Sequence, residues 1–136
     1  SFKAVLTGPD GKVKQVAEGK NLVTTVGFAL AADLLGATGG NKLSHIAIGT
    51  SSTAAAIGQT ALQGTELARA STSVTDPTNT VVISATFAAG TGTGTIEEAG
   101  VFNAASVGTM FSRFLTGTIV KGAADSLTIS WTLTLS

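Results

Sequence analysis

The last eleven residues of the chain, SLTISWTLTLS, alternate strictly between apolar and hydroxyl-bearing side chains. The apolar positions are Leu127, Ile129, Trp131, Leu133 and Leu135. Successive side chains of a β-strand point to opposite faces of a sheet, so this pattern predicts a strand with one buried face. The other face carries only serine and threonine, without any charge. What lies against that uncharged face is the first question that the sequence raises.

Shorter stretches of the same kind predict further strands. In TVVISATFAAG, one face carries the side chains of Val81, Ile83, Ala85 and Phe87. We expect a short strand over residues 43–48, a strand or a turn and strand over residues 62–70, and strands separated by turns from residue 96 to the end. Residues 49–59 consist mostly of small residues with no clear period, which predicts an ordered loop.

The N-terminal residues 1–19 predict a hairpin at an exposed edge. Val5 and Leu6 lead into the turn cluster GPDG at residues 8–11, and residues 13–17 return. Lysines at positions 3, 12 and 14 suit an edge strand, because a charged side chain there discourages unwanted pairing.

Only NLVTTVGFALAADLLGATGG has a convincing helical pattern. Val26, Leu30 and Leu34 recur every four residues, and a threonine at position 24 or 25 can cap the first turn. Gly36 suits the left-handed conformation that ends many helices. Nearly every position from 26 to 35 is apolar or small, so we expect this helix to be covered on most sides, as a core element or as a subunit contact.

Together these elements predict a mainly β protein. The expected architecture is an antiparallel, jelly-roll-like β-sandwich with one inserted α-helix near residues 24–35. We interpret residues 1–136 as a single domain that includes the hairpin-like segment 1–19.

The charge composition points to a protein that is packed against neighbours. Eight lysines and arginines balance eight acidic residues, and charged residues make up 12% of the chain, against about 25% in an average domain. Free-standing proteins stay apart partly through surface charge, so we expect an assembly subunit; a hydroxyl-rich secreted or thermally robust monomer is the alternative. The basic residues are scattered singly, so no nucleic-acid partner is expected. Apolar runs are too short for a membrane span, and the start of the chain lacks a signal-peptide pattern, which favours a cytosolic product.

No catalytic, cofactor-binding or metal site is predicted. The chain has no cysteine, and its one histidine, His45, lacks a second imidazole at short spacing. Glu97 and Glu98 are adjacent, so in a strand they point apart and cannot act as an acid–base pair. We expect one of them to accept N–H groups from a turn at AGVFN, and Arg113 to pair with Glu97 or Glu98. The glycines of GTGTGT, residues 90–95, lack the phosphate-loop spacing and predict a turn. We therefore expect a non-enzymatic protein without a cofactor.

Three blocks of sequence, in this order, resemble a module of tailed-bacteriophage virion proteins. They are HIAIGTSSTAAAIGQTALQGTELARAS, VVISATFAAGTGTGTIEEAGVFNAASVGTMFSRF and VKGAADSLTISWTLTLS, and NLVTTVGFALAADLL is similar to the helical lead-in of those proteins. The resemblance covers roughly residues 21–136. It implies fold-determining rather than catalytic roles for the matching positions, which are residues 48–50, Glu66, residues 98–103, Met110, Arg113, Lys121, Asp125 and Trp131.

The resemblance implies a component of the virion, assembled in the host cytoplasm. The short chain, read as a complete small product, favours a head decoration or cement protein that binds the major capsid protein or other virion proteins. We expect a homo-oligomer, with a trimer as the default. The alternative is a tail, collar or fibre-associated module involved in host attachment, although the loop at residues 49–58 carries no aromatic residue of the kind a receptor-binding tip exposes. A small hydrolase or glycan-binding enzyme is the third class.

Overall fold

Ten β-strands and one α-helix make up the computed structural model, which describes all residues from 1 to 136. The elements are, in chain order, β1 (Phe2–Thr7), β2 (Val13–Gly19), β3 (Leu22–Val23), α1 (Thr25–Gly36), β4 (His45–Gly49), β5 (Glu66–Ser71), β6 (Ser73–Thr75), β7 (Thr80–Phe87), β8 (Gly94–Phe102), β9 (Met110–Lys121) and β10 (Ser126–Thr134).

The strands form two five-stranded antiparallel sheets. Sheet I has the order β2-β1-β10-β7-β6, and sheet II has the order β3-β9-β8-β4-β5. The predicted mainly β, sandwich-type architecture with one helix is thereby confirmed. The chain passes from sheet II to sheet I between β5 and β6, which are separated by Thr72 alone. The predicted N-terminal hairpin is also present, and its second strand lies at an edge of sheet I.

The core lies between the sheets and is built mainly from the inward apolar side chains of β1, β4, β7, β8, β9 and β10. The side chain of Trp131 is fully buried, as the alternation in β10 predicts. Its ring meets that of Phe2 edge to face at 5.0 Å, and Phe2 stacks on Phe114 at 4.0 Å. These aromatic contacts join β10 and β1 of sheet I to β9 of sheet II.

The helix begins where the sequence predicts but ends differently. The Thr24 hydroxyl accepts a hydrogen bond from the Gly27 N–H at 3.0 Å and donates one to the Met110 carbonyl at 2.6 Å, so the cap also ties α1 to β9. Gly36 is the last helical residue, and the left-handed position is occupied by Ala37, with φ of 51°. The prediction that Gly36 adopts this conformation is therefore wrong by one residue.

The chain itself covers only one side of α1. Gly27 and Leu30 are its only buried residues. Phe28 is 64% exposed and Leu35 is 80% exposed, although both are apolar. The expectation that the helix is covered on most sides is wrong for the chain alone, because the sandwich is already closed by its own strands and α1 packs mainly against β9. An apolar helix surface is left open as a result.

Candidate functional site

Two charged side chains are paired in the interior, on neighbouring strands of sheet II. Glu98 on β8 and Arg113 on β9 are both buried, and Arg113 Nη2 lies 2.8 Å from Glu98 Oε2. Arg113 Nε donates a second hydrogen bond to the same oxygen, also at 2.8 Å. The predicted pairing of Arg113 with one of the two adjacent glutamates is confirmed, with Glu98 as the partner. Glu97 lies on the other side of the strand, where its carboxylate accepts a hydrogen bond from Thr118.

The paired groups hold the loop at residues 50–64 in place. Glu98 Oε1 accepts from the N–H groups of Ser51 at 3.2 Å and Gly64 at 2.8 Å, and Oε2 accepts from the Gln63 N–H at 3.0 Å. Arg113 Nη1 donates to the Thr53 carbonyl at 2.8 Å. We refer to Glu98, Arg113 and these loop partners as the Glu98 network.

The Glu98 network corrects one prediction about its acid. The backbone N–H groups that Glu98 accepts come from the loop before β5, and not from a turn at AGVFN, because that segment is the last part of β8. Both carboxylate oxygens already accept hydrogen bonds from the loop and from Arg113. The arrangement therefore positions a loop and presents no free carboxylate for proton transfer.

A second group of charges lies in the turn between β9 and β10. Asp125 Oδ2 accepts hydrogen bonds from Lys14 Nζ at 2.9 Å and from the Gly122 N–H at 2.8 Å. The hydrogen bond from Lys14 is the largest cause of a lowered pKa for Asp125, followed by that from Gly122. Lys121 is buried with Nζ donating to the Ala88 carbonyl at 3.0 Å. Burial lowers the pKa of Lys121, and the negative charge of Asp125 opposes that shift.

The remaining sequence candidates have local structural contacts. Ser44 Oγ lies 2.8 Å from His45 Nδ1, and Glu66 pairs with Arg69 at 2.7 Å. Asn103 Oδ1 accepts from the Thr109 N–H at 2.8 Å, within the turn between β8 and β9. The glycines at 90, 92 and 94 all have positive φ, as the predicted turn requires.

No three acidic or histidine side chains come together in a cluster that could hold a metal ion. The structure contains no helix with the length and apolar character that crossing a bilayer requires.

The uncharged side of β10 lies on the outer face of sheet I. There Ser130 and Ser84 share a hydrogen bond at 3.3 Å, and Thr128 and Thr86 share one at 3.1 Å, across the β10–β7 pair. We call this surface the hydroxyl face and define it by the outward side chains of Ser73, Thr75, Ser84, Thr86, Thr128 and Ser130. Its hydroxyls are partly satisfied by one another and carry no charge, and Lys3 of β1 lies beside Ser130 at the border of this surface.

An apolar groove lies between α1 and the ends of the sheet I strands. Its volume is about 730 Å³, and 13 of its 18 lining residues are hydrophobic. Phe28, Leu34 and Leu35 line it from the helix, and Val81 and Leu133 line it from β7 and β10. We call this cleft the α1 groove. Sequence reasoning did not predict it, although the uninterrupted apolar character of residues 26–35 was a signal that α1 has more apolar surface than one packing face needs.

Comparison of the chain with family models, with curated proteins and with solved structures finds no match.

Proposed function

We propose that the protein is a non-enzymatic structural subunit of a tailed-bacteriophage virion, acting as a head decoration or cement protein. The observation that carries this proposal is the α1 groove, with Phe28 and Leu35 exposed beside it. An apolar surface of this kind on a folded protein is typical of a contact site for another macromolecule. The sequence resemblance to tailed-bacteriophage virion proteins supports a virion as the assembly to which the protein belongs.

The hydroxyl face supports the same role through a different surface. Serine and threonine side chains are short, so a sheet face that carries them allows close approach of another protein, with hydrogen bonds or water filling the gaps. Neither Thr86 nor Thr128 brings a charge that such a contact would have to desolvate. We propose that the hydroxyl face is the side of the molecule that contacts the major capsid protein.

A decoration protein stabilises a shell by adding buried surface at many equivalent positions. A standard interface buries about 1,600 Å² in total. Because the contact is repeated by the symmetry of the particle, a modest free energy at each site becomes large over the whole shell. The Glu98 network fits this role, since it fixes a long surface loop without help from a partner.

The copy number of the chain in purified particles tests the proposal. Quantitative mass spectrometry should give a ratio to the major capsid protein of roughly one, or a simple fraction such as roughly one third, as symmetric decoration of a shell requires. A ratio on the order of one per cent would instead support a tail, collar or fibre-associated module involved in host attachment.

A binding experiment tests the proposed role of the hydroxyl face. Shells that lack the protein are mixed with purified wild-type chain or with the Thr128→Lys variant, and co-sedimentation is measured. We expect Thr128→Lys to abolish binding, because it places a long charged side chain among the short hydroxyls of the proposed contact. Ala105→Lys is the matched control, since Ala105 is exposed in the turn between β8 and β9. Undiminished binding of Thr128→Lys would show that another surface contacts the shell.

A further inference from the structure

The edge of sheet I beside the α1 groove ends in an apolar side chain that is only half covered. Val74 lies opposite Ile83 in the β6–β7 pair, so both side chains point to the inner face of the sheet. Ile83 is fully buried, whereas Val74 is 44% exposed and lines the groove. Because β6 is the last strand of sheet I, no further strand of the chain covers Val74.

The backbone of β6 is also free on its outer side. The strand spans only Ser73–Thr75 and pairs with β7 alone, and none of the backbone hydrogen bonds of loops, turns and caps reaches these three residues. An unpaired strand edge is a template to which another extended chain can add itself as the next strand. The groove therefore adjoins an edge that can hydrogen-bond a polypeptide backbone, which a hydrocarbon ligand would leave unused.

The dimensions of the α1 groove suit the side chains of a short segment. Its volume of about 730 Å³ holds a few side chains and not the face of a folded domain, and 13 of its 18 lining residues are hydrophobic. In a strand added to β6, every second side chain would point to the inner face of sheet I. Apolar residues at alternate positions of the segment would therefore enter the groove.

One charge at the groove restricts the segment further. Lys42 is the only charged side chain among the lining residues, and it belongs to none of the ion pairs within the chain. No carboxylate lines the groove. An acidic residue in the segment would pair with Lys42, whereas a basic residue would meet a like charge.

The groove and the hydroxyl face adjoin along β10. Thr132 and Thr134 lie beyond Ser130 on the hydroxyl-bearing side of the strand, and both also line the groove. A partner that lies on the hydroxyl face can therefore reach the groove with a segment that passes around the end of sheet I.

We infer that the α1 groove receives an extended segment of the major capsid protein. The segment adds a strand to the outer edge of β6, places alternate apolar side chains in the groove and carries a carboxylate that pairs with Lys42. This inference rests on the proposed function, because it takes the partner on the hydroxyl face to be the protein that supplies the segment. The hydroxyl face then provides a broad contact, and the groove holds the apolar anchors.

Two substitutions in the groove test the inference by shell binding. Ala32 lines the groove and is exposed, so Ala32→Trp fills the space with an indole ring, and Lys42→Glu reverses the charge. In the co-sedimentation assay with shells that lack the protein, each variant should raise the Kd by at least roughly tenfold, as loss of an anchoring contact does. Ala105→Trp and Lys12→Glu are the matched controls, since both positions are exposed and neither lines the groove. Circular dichroism establishes that all four variants are folded.

Cross-linking identifies the segment itself. The chain has no cysteine, so Leu35→Cys adds a single thiol at the groove, to which a benzophenone maleimide is attached. Illumination of decorated shells should join this position to one short stretch of the major capsid protein, which peptide mass spectrometry locates. Val120→Cys is the control, because Val120 is an exposed apolar residue of β9 that does not line the groove. It should give no cross-link to that stretch.

Hydrogen exchange tests the added strand. At least one amide among residues 73–75 should exchange more slowly in decorated shells than in the free chain, because an outward N–H gains a carbonyl partner. Exchange in the turn at residues 9–12, far from the groove in the β1–β2 hairpin, serves as the internal reference.

The outcomes separate this inference from the proposed function. Shell binding that survives both Ala32→Trp and Lys42→Glu, or unchanged exchange at β6, would overturn the added segment and leave the contact through the hydroxyl face standing. Cross-links from position 35 to a second copy of this chain or to another protein, or none at all, would overturn it as well. If the wild-type chain did not bind shells, the proposed function would fall, and with it the major capsid protein as the source of the segment.

Discussion

Arg113 Nη2 lies 2.8 Å from Glu98 Oε2, with both side chains buried between sheet II and the loop at residues 50–64. Removing two charges from water is costly, and the attraction between them repays that cost only when further hydrogen bonds satisfy the remaining donors and acceptors. Here the loop supplies those bonds through its N–H and carbonyl groups. The ion pair and the loop conformation therefore depend on each other.

Replacement of Glu98 by glutamine should be strongly destabilising. Glu98→Gln leaves the Arg113 guanidinium buried without a counter-charge, and breaking a buried pair in this way costs about 3–5 kcal/mol. Urea unfolding of the variant measures the loss. Glu97→Gln is the matched control, because the neighbouring carboxylate is not buried and bonds only to Thr118. Equal stability of the two variants would contradict the role assigned to the Glu98 network.

The same variant should also loosen the loop. Amide hydrogen exchange of Ser51, Gln63 and Gly64 should accelerate in Glu98→Gln, because their N–H groups lose a charged acceptor. Exchange in β10, which lies in the other sheet, serves as the internal reference. Loop protection that is unchanged relative to β10 would mean that the loop is held by other contacts.

The contact between α1 and β9 predicts opposite effects for the same substitution at two glycines. A Cβ at position 27 would lie 2.8 Å from the carbonyl carbon of Phe111 and 2.9 Å from its Cα, so Gly27→Ala should push the helix off the strand at a cost of about 1–3 kcal/mol. At position 36 the nearest atom is the Cγ2 of Thr38 at 3.6 Å. Gly36→Ala should therefore stabilise the protein by up to about 1 kcal/mol, the ordinary helix preference for alanine.

Thermal unfolding of the two glycine variants checks this prediction. The melting temperature should fall for Gly27→Ala and rise slightly for Gly36→Ala. If the melting temperature rose for both variants, helix propensity alone would decide the outcome, and the close approach of α1 to the backbone of Phe111 would be refuted.

The features that the sequence could predict are those encoded within a few residues. Alternation in β10 predicts the burial of Trp131, because neighbouring side chains in a strand must point to opposite faces. The cap at Thr24 is likewise a local property, since its hydroxyl bonds an N–H three residues later. The pairing of Arg113 with one of two adjacent glutamates follows from the two candidates on a nearby strand, although the choice between them depends on which side of β8 the loop at residues 50–64 covers.

The features that could not be predicted depend on contacts between distant parts of the chain. The N–H groups accepted by Glu98 come from residues 34–47 positions earlier, where nothing in the local sequence marks them as partners. The α1 groove depends on where the helix sits relative to β7 and β10, which is fixed by the order of strands in the sheets. The sequence shows that α1 is apolar, but it does not show which side of the helix the rest of the chain leaves exposed.

Trp131 should be one of the most sensitive positions of the core. Trp131→Ala removes a fully buried ring and its edge-to-face contact with Phe2, so we expect a loss of about 3–5 kcal/mol in the free energy of unfolding. Thr128→Ala is the control on the same strand, since its side chain is exposed on the hydroxyl face and should change stability by less than about 0.5 kcal/mol. A near-native midpoint in urea for Trp131→Ala would contradict the core position of β10.

Asp125 should make the stability of the protein depend on pH in the acid range. Its folded-state pKa is lowered below 3.8, first by the hydrogen bond from Lys14 and then by that from Gly122, so the folded state binds its proton less readily than the unfolded chain does. The stabilising contribution is thus present above the unfolded pKa and is lost as the pH falls through the lowered folded value. The positive charge of Lys121 also helps to lower the pKa of Asp125.

Unfolding curves of wild type and Asp125→Asn between about pH 7 and pH 2 measure this contribution. We expect Asp125→Asn to be less stable than wild type at neutral pH, because the ion pair with Lys14 is lost, and to lose less stability on acidification. Asp76→Asn is the matched control, since that carboxylate is exposed and makes no ion pair. Wild type and Asp125→Asn could instead lose stability in parallel as the pH falls. That result would mean that the charge of Asp125 does not stabilise the turn between β9 and β10, and that the backbone hydrogen bonds of the turn are sufficient.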